Sequence, residues 1–146
     1  MRLGRVTLAM ALSLVLLGFT GSRPHNLGVK DGALAACPDS PNCVSTQAKD
    51  ARHAIAPLTY TTSREQALQR LTDIIRSLPR TRIVTSRADY LHVEFTSALF
   101  RFVDDVEFFL DDTAKTIHFR SASRLGYSDL GVNRKRMEEI RRRFQP

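Results

Sequence analysis

The apolar positions of this chain follow a helical spacing first and a strand spacing afterwards. Between 63 and 78 they recur every three or four residues, as on one face of an α-helix. Ser63 and Gln66 form a capping box that predicts the helix start, and Pro79 predicts its end. The stripe consists of Ala67, Leu68, Leu71, Ile74, Ile75 and Leu78. We therefore predict an amphipathic helix here.

After this helix the apolar residues alternate with period two, which predicts antiparallel β-strands. The predicted strands are 82–85, 90–97, 100–110 and 116–124. A short strand at 55–60 precedes the helix, and a second helix at 133–144, with Asn133 as its N-cap, follows the strands. The order β-α-β4-α predicts an α+β fold in which two helices cover one face of a four- to five-stranded antiparallel sheet. Helix-grip folds, which hold apolar ligands between sheet and helix, share this order.

The first 22 residues predict an export signal. Arg2 and Arg5 supply positive charge, and 6–19 is an apolar run of 14 residues, shorter than the roughly 20 that span a bilayer. We expect cleavage after Ser22, which would make the protein exported and periplasmic. The alternative is that 6–19 stays in the inner membrane as an anchor.

The remaining chain predicts one domain with an uneven charge distribution. Residues 23–36 lack periodicity and are interpreted as a linker, and 37–146 as a single α+β domain. The net charge of the chain is +7, but 89–112 is an acidic stretch and 120–146 is a basic one. This arrangement favours internal pairing at least as much as an external partner.

The only two cysteines, Cys37 and Cys43, are six positions apart in a loop that Pro38 and Pro41 stiffen. An exported protein meets oxidising conditions, so we predict a structural disulfide. Two cysteines do not complete a four-ligand zinc site. The alternative is a redox-active pair, although such pairs usually have the Cys-x-x-Cys spacing.

An acidic run at 103–107 carries the second candidate chemistry. The alternation of its strand places Asp104 among aromatic residues, where an ionised carboxylate needs a partner. Arg120 and Arg124 on the next strand are the expected partners in a buried network. The alternative is a metal-dependent or hydrolytic enzyme. Its site would consist of Asp104, Asp105, Glu107 and His118.

The segment 120–131, between the last strand and the second helix, contains arginines, serines and glycines. Arginine forks and backbone amides bind anions, so this segment is a candidate site for an anion or a polar headgroup. The alternative is that its arginines pair with the acidic strand. The candidate ligand-binding residues are Arg120, Ser121, Ser123, Arg124, Tyr127, Ser128, Arg134, Asp104, Asp105 and Glu107.

Three motifs, CPDSPNCVS at 37–45, RFVDDVEF at 101–108 and RSASRLGYSDLGVNR at 120–134, resemble the family catalogued as domain of unknown function 1499. The resemblance implies a small exported or membrane-associated bacterial protein, with relatives in photosynthetic lineages. It implies no established activity, cofactor or catalytic residue. Thr46 departs from the serine expected there. The motif positions are Asp104, Asp105, Glu107, Arg120, Ser121, Ser123, Arg124, Tyr127, Ser128, Asp129, Asn133 and Arg134.

Our leading hypothesis is a non-enzymatic cell-envelope domain that binds a small molecule, a lipid or an envelope protein. It predicts an apolar cavity with Arg120 or Arg124 at its mouth, whereas the enzyme alternative predicts converging carboxylates and a histidine. A purely structural protein would have every motif arginine paired. Opposite charges four residues apart make the basic C-terminal helix a solvated one, and we expect no nucleic acid, no metal and no cofactor. Attraction to an anionic membrane surface stays open.

Overall fold

The computed structural model describes residues 20–145, so the apolar run 6–19 lies outside the described residues. Within 20–145 there is no helix with the length and hydrophobicity needed to cross a bilayer. Whether the predicted signal is cleaved after Ser22 stays a prediction.

Six strands and two helices make up the domain, in the α+β class that the sequence predicts. Their bounds are β1 Cys43–Ser45, β2 Leu58–Thr59, α1 Arg64–Ser77, β3 Thr81–Arg87, β4 Tyr90–Thr96, β5 Val103–Asp111, β6 Thr116–Ser123 and α2 Val132–Phe144. The strand that the sequence analysis missed is β1. It has three residues in a polar stretch, so only its pairing with a distant strand reveals it.

The sheet is antiparallel, with the spatial order β1-β6-β5-β4-β3, and β2 also pairs with β6. The β3 to β6 meander follows the chain order, whereas β1 and β2 pair with the edge of β6 that faces away from β5. The register places Glu107 opposite Arg120 and Asp105 opposite Glu94. Acidic and basic side chains of three neighbouring strands therefore share one face of the sheet.

Both helices pack on the other face, which we call the inner face. Helix α1 begins after Ser63 with the predicted capping box. Its residues Leu71 and Ile75 are fully buried against the sheet, as are Met137 and Ile140 of α2. The two amphipathic stripes thus form one core with the alternating apolar residues of β4, β5 and β6.

The start of α2 differs from the prediction. Asn133 is not the N-cap but a fully buried residue of the first turn, and Gly131 holds the cap position with a φ of 78° and no side-chain cap bond. Asp129 instead accepts hydrogen bonds from the backbone N–H of Gly131 at 3.0 Å and of Asn133 at 2.7 Å. Its carboxylate satisfies the free N–H groups that a cap residue would satisfy.

The opposite, outer face is also covered, although the sequence analysis predicted one covered face. Residues 20–36 contact it: Arg23 forms an ion pair with Glu94, and the Gly28 N–H donates to Glu107 at 2.6 Å. Glu94 and Glu107 are buried beneath this segment. The alternation of apolar and polar residues did not predict this contact, because residues 20–36 and the outer face are both rich in polar side chains.

Candidate functional site

Three arginines surround the carboxylate of Glu94 on the outer face. Arg23, Arg82 and Arg124 donate to it at 2.6, 3.0 and 2.5 Å respectively. Burial alone would raise the pKa of Glu94, but these hydrogen bonds lower it to about 2. Glu94 is therefore ionised at neutral pH and joins β4 to β3, to the β6–α2 loop and to the N-terminal segment.

Asp105 occupies the middle of the same face. Arg124 donates to both of its oxygens, at 2.7 and 2.8 Å, and His92 Nε2 lies 2.8 Å from Oδ1. Burial opposes ionisation, but Arg124 and His92 keep the pKa of Asp105 below its usual range. An ionised carboxylate only accepts hydrogen bonds, so His92 carries a proton on Nε2.

Glu107 and Arg120 form the least satisfied part of this face. Glu107 accepts from the Tyr90 hydroxyl at 2.7 Å and from Gly28, while Arg120 Nη1 lies 3.8 Å from its Oε2. Within the described chain, Arg120 Nε, Arg120 Nη1 and Glu107 Oε2 have no hydrogen-bond partner. Burial lowers the pKa of the Arg120 guanidinium, and the charge of Glu107 counteracts this. The pair is held by charge rather than by hydrogen bonds.

A second polar cluster lies between β6 and the first turn of α2, with Asn133 at its centre. The Asn133 Oδ1 accepts from the Ser121 hydroxyl at 2.5 Å and from Arg136 at 2.8 Å. Its Nδ2 donates to three oxygens: the backbone oxygen of Asn42, Ser123 Oγ and Asp129 Oδ2. The buried amide therefore joins β6, α2, the loop between them and the loop before β1.

Asp104 pairs with a different arginine from those predicted. Its Oδ2 lies 2.5 Å from Arg136 Nη2, and Arg136 also lies over the Phe95 ring at 4.6 Å. Arg120 and Arg124 pair with acids on the outer face, whereas Asp104 faces inward, toward α2. The prediction of a buried ion pair at Asp104 is confirmed, and the prediction of its partner is wrong.

The remaining candidate residues do not join either cluster. Arg134 donates to the backbone oxygens of Ala54 and Arg52, and so fixes the loop before β2. Tyr127 is exposed, and Ser128 is exposed with its hydroxyl accepting from the Leu130 N–H at 3.3 Å.

The four residues of the enzyme alternative do not converge. Asp105 and Glu107 lie on the outer face and Asp104 on the inner face, while His118 Nδ1 is 3.2 Å from the Thr46 hydroxyl. Among residues 20–145, no three His, Cys, Asp or Glu side chains come close enough to hold a metal ion. The arrangement gives no common point at which a substrate or metal would meet these groups.

Cys37 and Cys43 form the predicted disulfide, with their Cα atoms 5.7 Å apart. Cys43 is the first residue of β1 and is buried, whereas Cys37 ends the segment that crosses the outer face. The bond therefore joins that segment to the edge of the sheet. A structural role agrees with this position.

The feature that sequence reasoning missed is a group of exposed apolar side chains. Every large apolar residue exposed in the described chain lies in one of two segments. The first is the loop 97–102 between β4 and β5, and the second is 124–132, the loop between β6 and α2 together with the first residue of α2; we call both loops. We call these side chains the apolar patch. Its members are Leu99, Phe100, Phe102, Leu125, Tyr127, Leu130 and Val132.

The two loops lie side by side at one end of the sheet. The Arg124 N–H donates to the Val103 oxygen at 3.1 Å, so the second loop begins beside the end of the first. A pocket of about 200 Å³ lies between them, with Phe102, Leu125 and Val132 in its walls. Exposed side chains of both loops thus meet at this pocket, and the other patch residues lie in the same two loops.

Two aromatic residues of the patch were assigned wrongly from the sequence. The alternation places Phe100 and Phe102 inside the sheet, but β5 begins at Val103 and both rings are exposed. They lie 5.8 Å apart, next to Arg101, whose φ of 59° breaks the extended backbone. The apolar residues keep their period of two through this break, so the sequence pattern gives only a weak signal that 97–102 is a loop.

The fold and the paired charges define a small disulfide-bonded α+β domain with two exposed apolar loops at one end of its sheet. The chain belongs to the family described as Protein of unknown function (DUF1499), whose model matches residues 33–144. The resemblance seen in the three motifs is thereby confirmed. Searches of the curated proteins and of the solved structures each gave no significant match.

Proposed function

We propose that this chain is a non-enzymatic binding domain of the cell envelope and that the apolar patch is its binding surface. The observation that carries the proposal is that, in the part of the chain that the structure describes, all large exposed apolar side chains lie in loops 97–102 and 124–132. Scattered exposed apolar residues are ordinary, but a contiguous group is typical of an interaction surface. Among residues 20–145, a separate cluster of buried apolar side chains forms the core between sheet and helices.

The family motif supports this proposal because it holds the second loop in place. Arg124 anchors the start of the loop to Asp105 and Glu94, and Asp129 with Asn133 anchors its end to α2. Near the middle, the Asn42 amide donates to the Gly126 oxygen at 2.7 Å. A loop fixed at three points presents its side chains with little loss of conformational entropy on binding.

The arginines of the motif are less suited to binding a ligand themselves. Arg120 and Arg124 are both largely buried beneath residues 20–36, and Arg124 already donates hydrogen bonds to two carboxylates. Neither lines any of five pockets of about 200–540 Å³ on the described surface, so none of these is the predicted apolar cavity with Arg120 or Arg124 at its mouth. We therefore propose that the apolar loops bind the partner and that the arginines hold these loops in position.

The compartment forms part of the proposal. The predicted signal at 1–22 and the Cys37–Cys43 disulfide both favour an oxidising location, and we propose that this location is the periplasm. In that compartment the available apolar partners are membranes, lipids and envelope proteins.

Site-specific photocrosslinking in living cells tests this function. A benzophenone amino acid replaces Leu130 or Leu99 in the patch, and Thr113 serves as the control. Thr113 is exposed in the turn after β5, about 25 Å away at roughly 3.3 Å per strand residue. We expect adducts from both patch positions and none from Thr113. Equal crosslinking from all three positions, or none, would contradict the proposal.

A further inference from the structure

We propose that the occupant of the apolar patch is the surface of an anionic lipid bilayer. This inference rests on the proposed function and specifies its partner. Three observations carry it: the contact of Gly21 with the second loop, the side-chain chemistry of the two loops, and the charge around them.

The described chain begins beside the patch. Gly21 lies so close to the second loop that a methyl group added to it would be 3.1 Å from Leu125 Cγ and 3.1 Å from Arg124 Cβ. The apolar run 6–19 ends one residue before Thr20. The inference therefore adopts the alternative in which 6–19 stays in the inner membrane as an anchor, because the chain that follows this run contacts the second loop at Gly21.

The side chains of the patch suit the interface of a bilayer. Leu99 is 79% and Leu130 85% exposed, Phe100 and Phe102 are aromatic, and Tyr127 has an apolar ring with a polar tip. Aromatic residues are enriched at the headgroup level because one end of the ring is apolar and the other polar. Leu130 also has a φ of 54°, a left-handed conformation that is unfavourable for a residue with a side chain. The fold therefore keeps an unfavourable backbone conformation at the most exposed leucine.

The charge at this end of the domain is positive. Arg80, whose Nε donates to the Thr96 oxygen at 3.1 Å, and Arg101 are exposed and have no acidic partner among residues 20–145. Of the acids nearest the patch, Asp104 is neutralised by Arg136, whereas the Asp129 carboxylate accepts from the first turn of α2 and keeps its negative charge. The two arginines outweigh this single charge. Unpaired arginines beside apolar loops attract the phosphates of anionic lipids.

Fluorescence quenching by brominated lipids tests this inference directly. The chain contains no tryptophan, so a single introduced tryptophan is the only one in the protein. Phe100→Trp and Leu130→Trp place it in the patch, and Thr113→Trp is the matched control at the opposite end of β5. The full chain, made in a cell-free system so that residues 1–22 are retained, is mixed with vesicles of phosphatidylglycerol and phosphatidylethanolamine with brominated acyl chains.

We expect both patch tryptophans to be quenched several-fold more than the control, because interfacial apolar groups lie about 5–10 Å into the headgroup and acyl boundary. Arg80→Asn with Arg101→Asn should weaken the quenching on anionic vesicles and change it little on zwitterionic ones. Asparagine suits this test because it tolerates the left-handed φ of both positions. Equal quenching of all three tryptophans would overturn the inference.

Three other results would also overturn it, and they differ from a failure of the proposed function. Vesicle-bound protein with unquenched patch tryptophans would mean that the patch faces something other than lipid, and photocrosslinks from Leu130 to a protein would then keep the binding function. Protein that does not sediment with the vesicles would exclude the bilayer as the occupant. A blue-shifted tryptophan without vesicles would show that the patch is covered by another part of the chain or by a second copy.

Discussion

Arg124 and Asp105 form a two-point ion pair, with the guanidinium Nε and Nη2 donating to the two carboxylate oxygens at 2.7 and 2.8 Å. Arg124 is the first residue after β6, and it also reaches Glu94 on β4. One side chain therefore fixes the position at which the second apolar loop leaves the sheet. Its planar fork suits this double contact in a way that a lysine ammonium does not.

Replacing Arg124 by lysine should lower the free energy of unfolding by about 1–2 kcal/mol, because the bidentate contact and the bond to Glu94 are lost together. Arg82→Lys is the matched control, since Arg82 contacts the same carboxylate but its side chain is 67% exposed. We expect the control to stay within about 0.5 kcal/mol of the parent. Urea unfolding followed by circular dichroism measures both variants, and equal losses would show that Arg124 has no special role.

The protein should lose stability in acid. The folded pKa of Glu94, about 2, lies below its usual value of 4.5, so its charge stabilises the fold above pH 4.5. That contribution, at most about 3 kcal/mol, is lost as the pH falls from about 4.5 towards 2. The lowered pKa values of Asp105 and Asp129 act in the same direction. Thermal unfolding measured between pH 7 and pH 2 follows the loss.

The same measurement on Glu94→Gln separates this residue from the other acids. The variant should be less stable than the parent at pH 7, because three arginines lose a charged partner, and its stability should change less between pH 4.5 and pH 2. An unchanged pH profile in Glu94→Gln would remove Glu94 as a source of the acid sensitivity.

Asn133→Ala should be among the most damaging single substitutions in α2. The buried amide joins Ser121, Ser123 and Asp129, and its loss leaves several of these groups without partners at a cost of about 2–3 kcal/mol. Lys135→Ala, on an exposed position of the same helix, should cost less than about 0.5 kcal/mol. Chemical denaturation compares the two variants, and similar midpoints would contradict the assigned role of Asn133.

Removing the disulfide should have a moderate effect. Cys37 and Cys43 close a ring with a sequence separation of six, for which the chain-entropy relation gives roughly 2 kcal/mol. The double variant Cys37→Ser with Cys43→Ser should therefore fold but unfold at lower denaturant concentration. Reduction of the parent with dithiothreitol should reproduce the shift, and an effect on the variant itself would point to a different cause.

Leu130→Gly should separate stability from binding. Glycine adopts a φ of 54° without strain, so the free energy of unfolding should rise by about 0.5 kcal/mol, the relief of strain being partly offset by a more flexible unfolded chain. Vesicle binding of the same variant should weaken, because the most exposed leucine of the patch is gone. Calorimetry and vesicle sedimentation measure the two effects, and a fall in both would assign Leu130 a role in folding.

The sequence predicted those elements whose pattern is local. Helix α1 agrees with its capping box and apolar stripe, and the alternating runs agree with β3, β4 and β6 within two residues. The disulfide follows from the two cysteines and the compartment expected for the chain. In each case the residues that determine the structure are neighbours in the sequence.

The wrong predictions concern residues whose positions depend on contacts with residues distant in the sequence. Asn133 resembles an N-cap, but a buried contact with Ser121 and Ser123 determines its position. Asp104 has arginines on the next strand, yet the pleat directs it to Arg136 on a helix 32 residues away. The apolar patch is invisible to periodicity because exposed and buried apolar residues look alike in one sequence. In each case a tertiary contact determines where the side chain lies, and such a contact leaves no local sequence pattern.

The contact of residues 20–36 with the outer face also fixes the reach of the domain. A free flexible segment such as 23–36, with 14 residues, would separate its ends by about 20 Å on average and let the domain rotate. The ion pair of Arg23 and the bond from Gly28 hold the segment flat instead. Any attachment that immobilises residue 20 thus also sets the distance of the domain from the attachment point and its orientation, because the segment acts as a rigid connection.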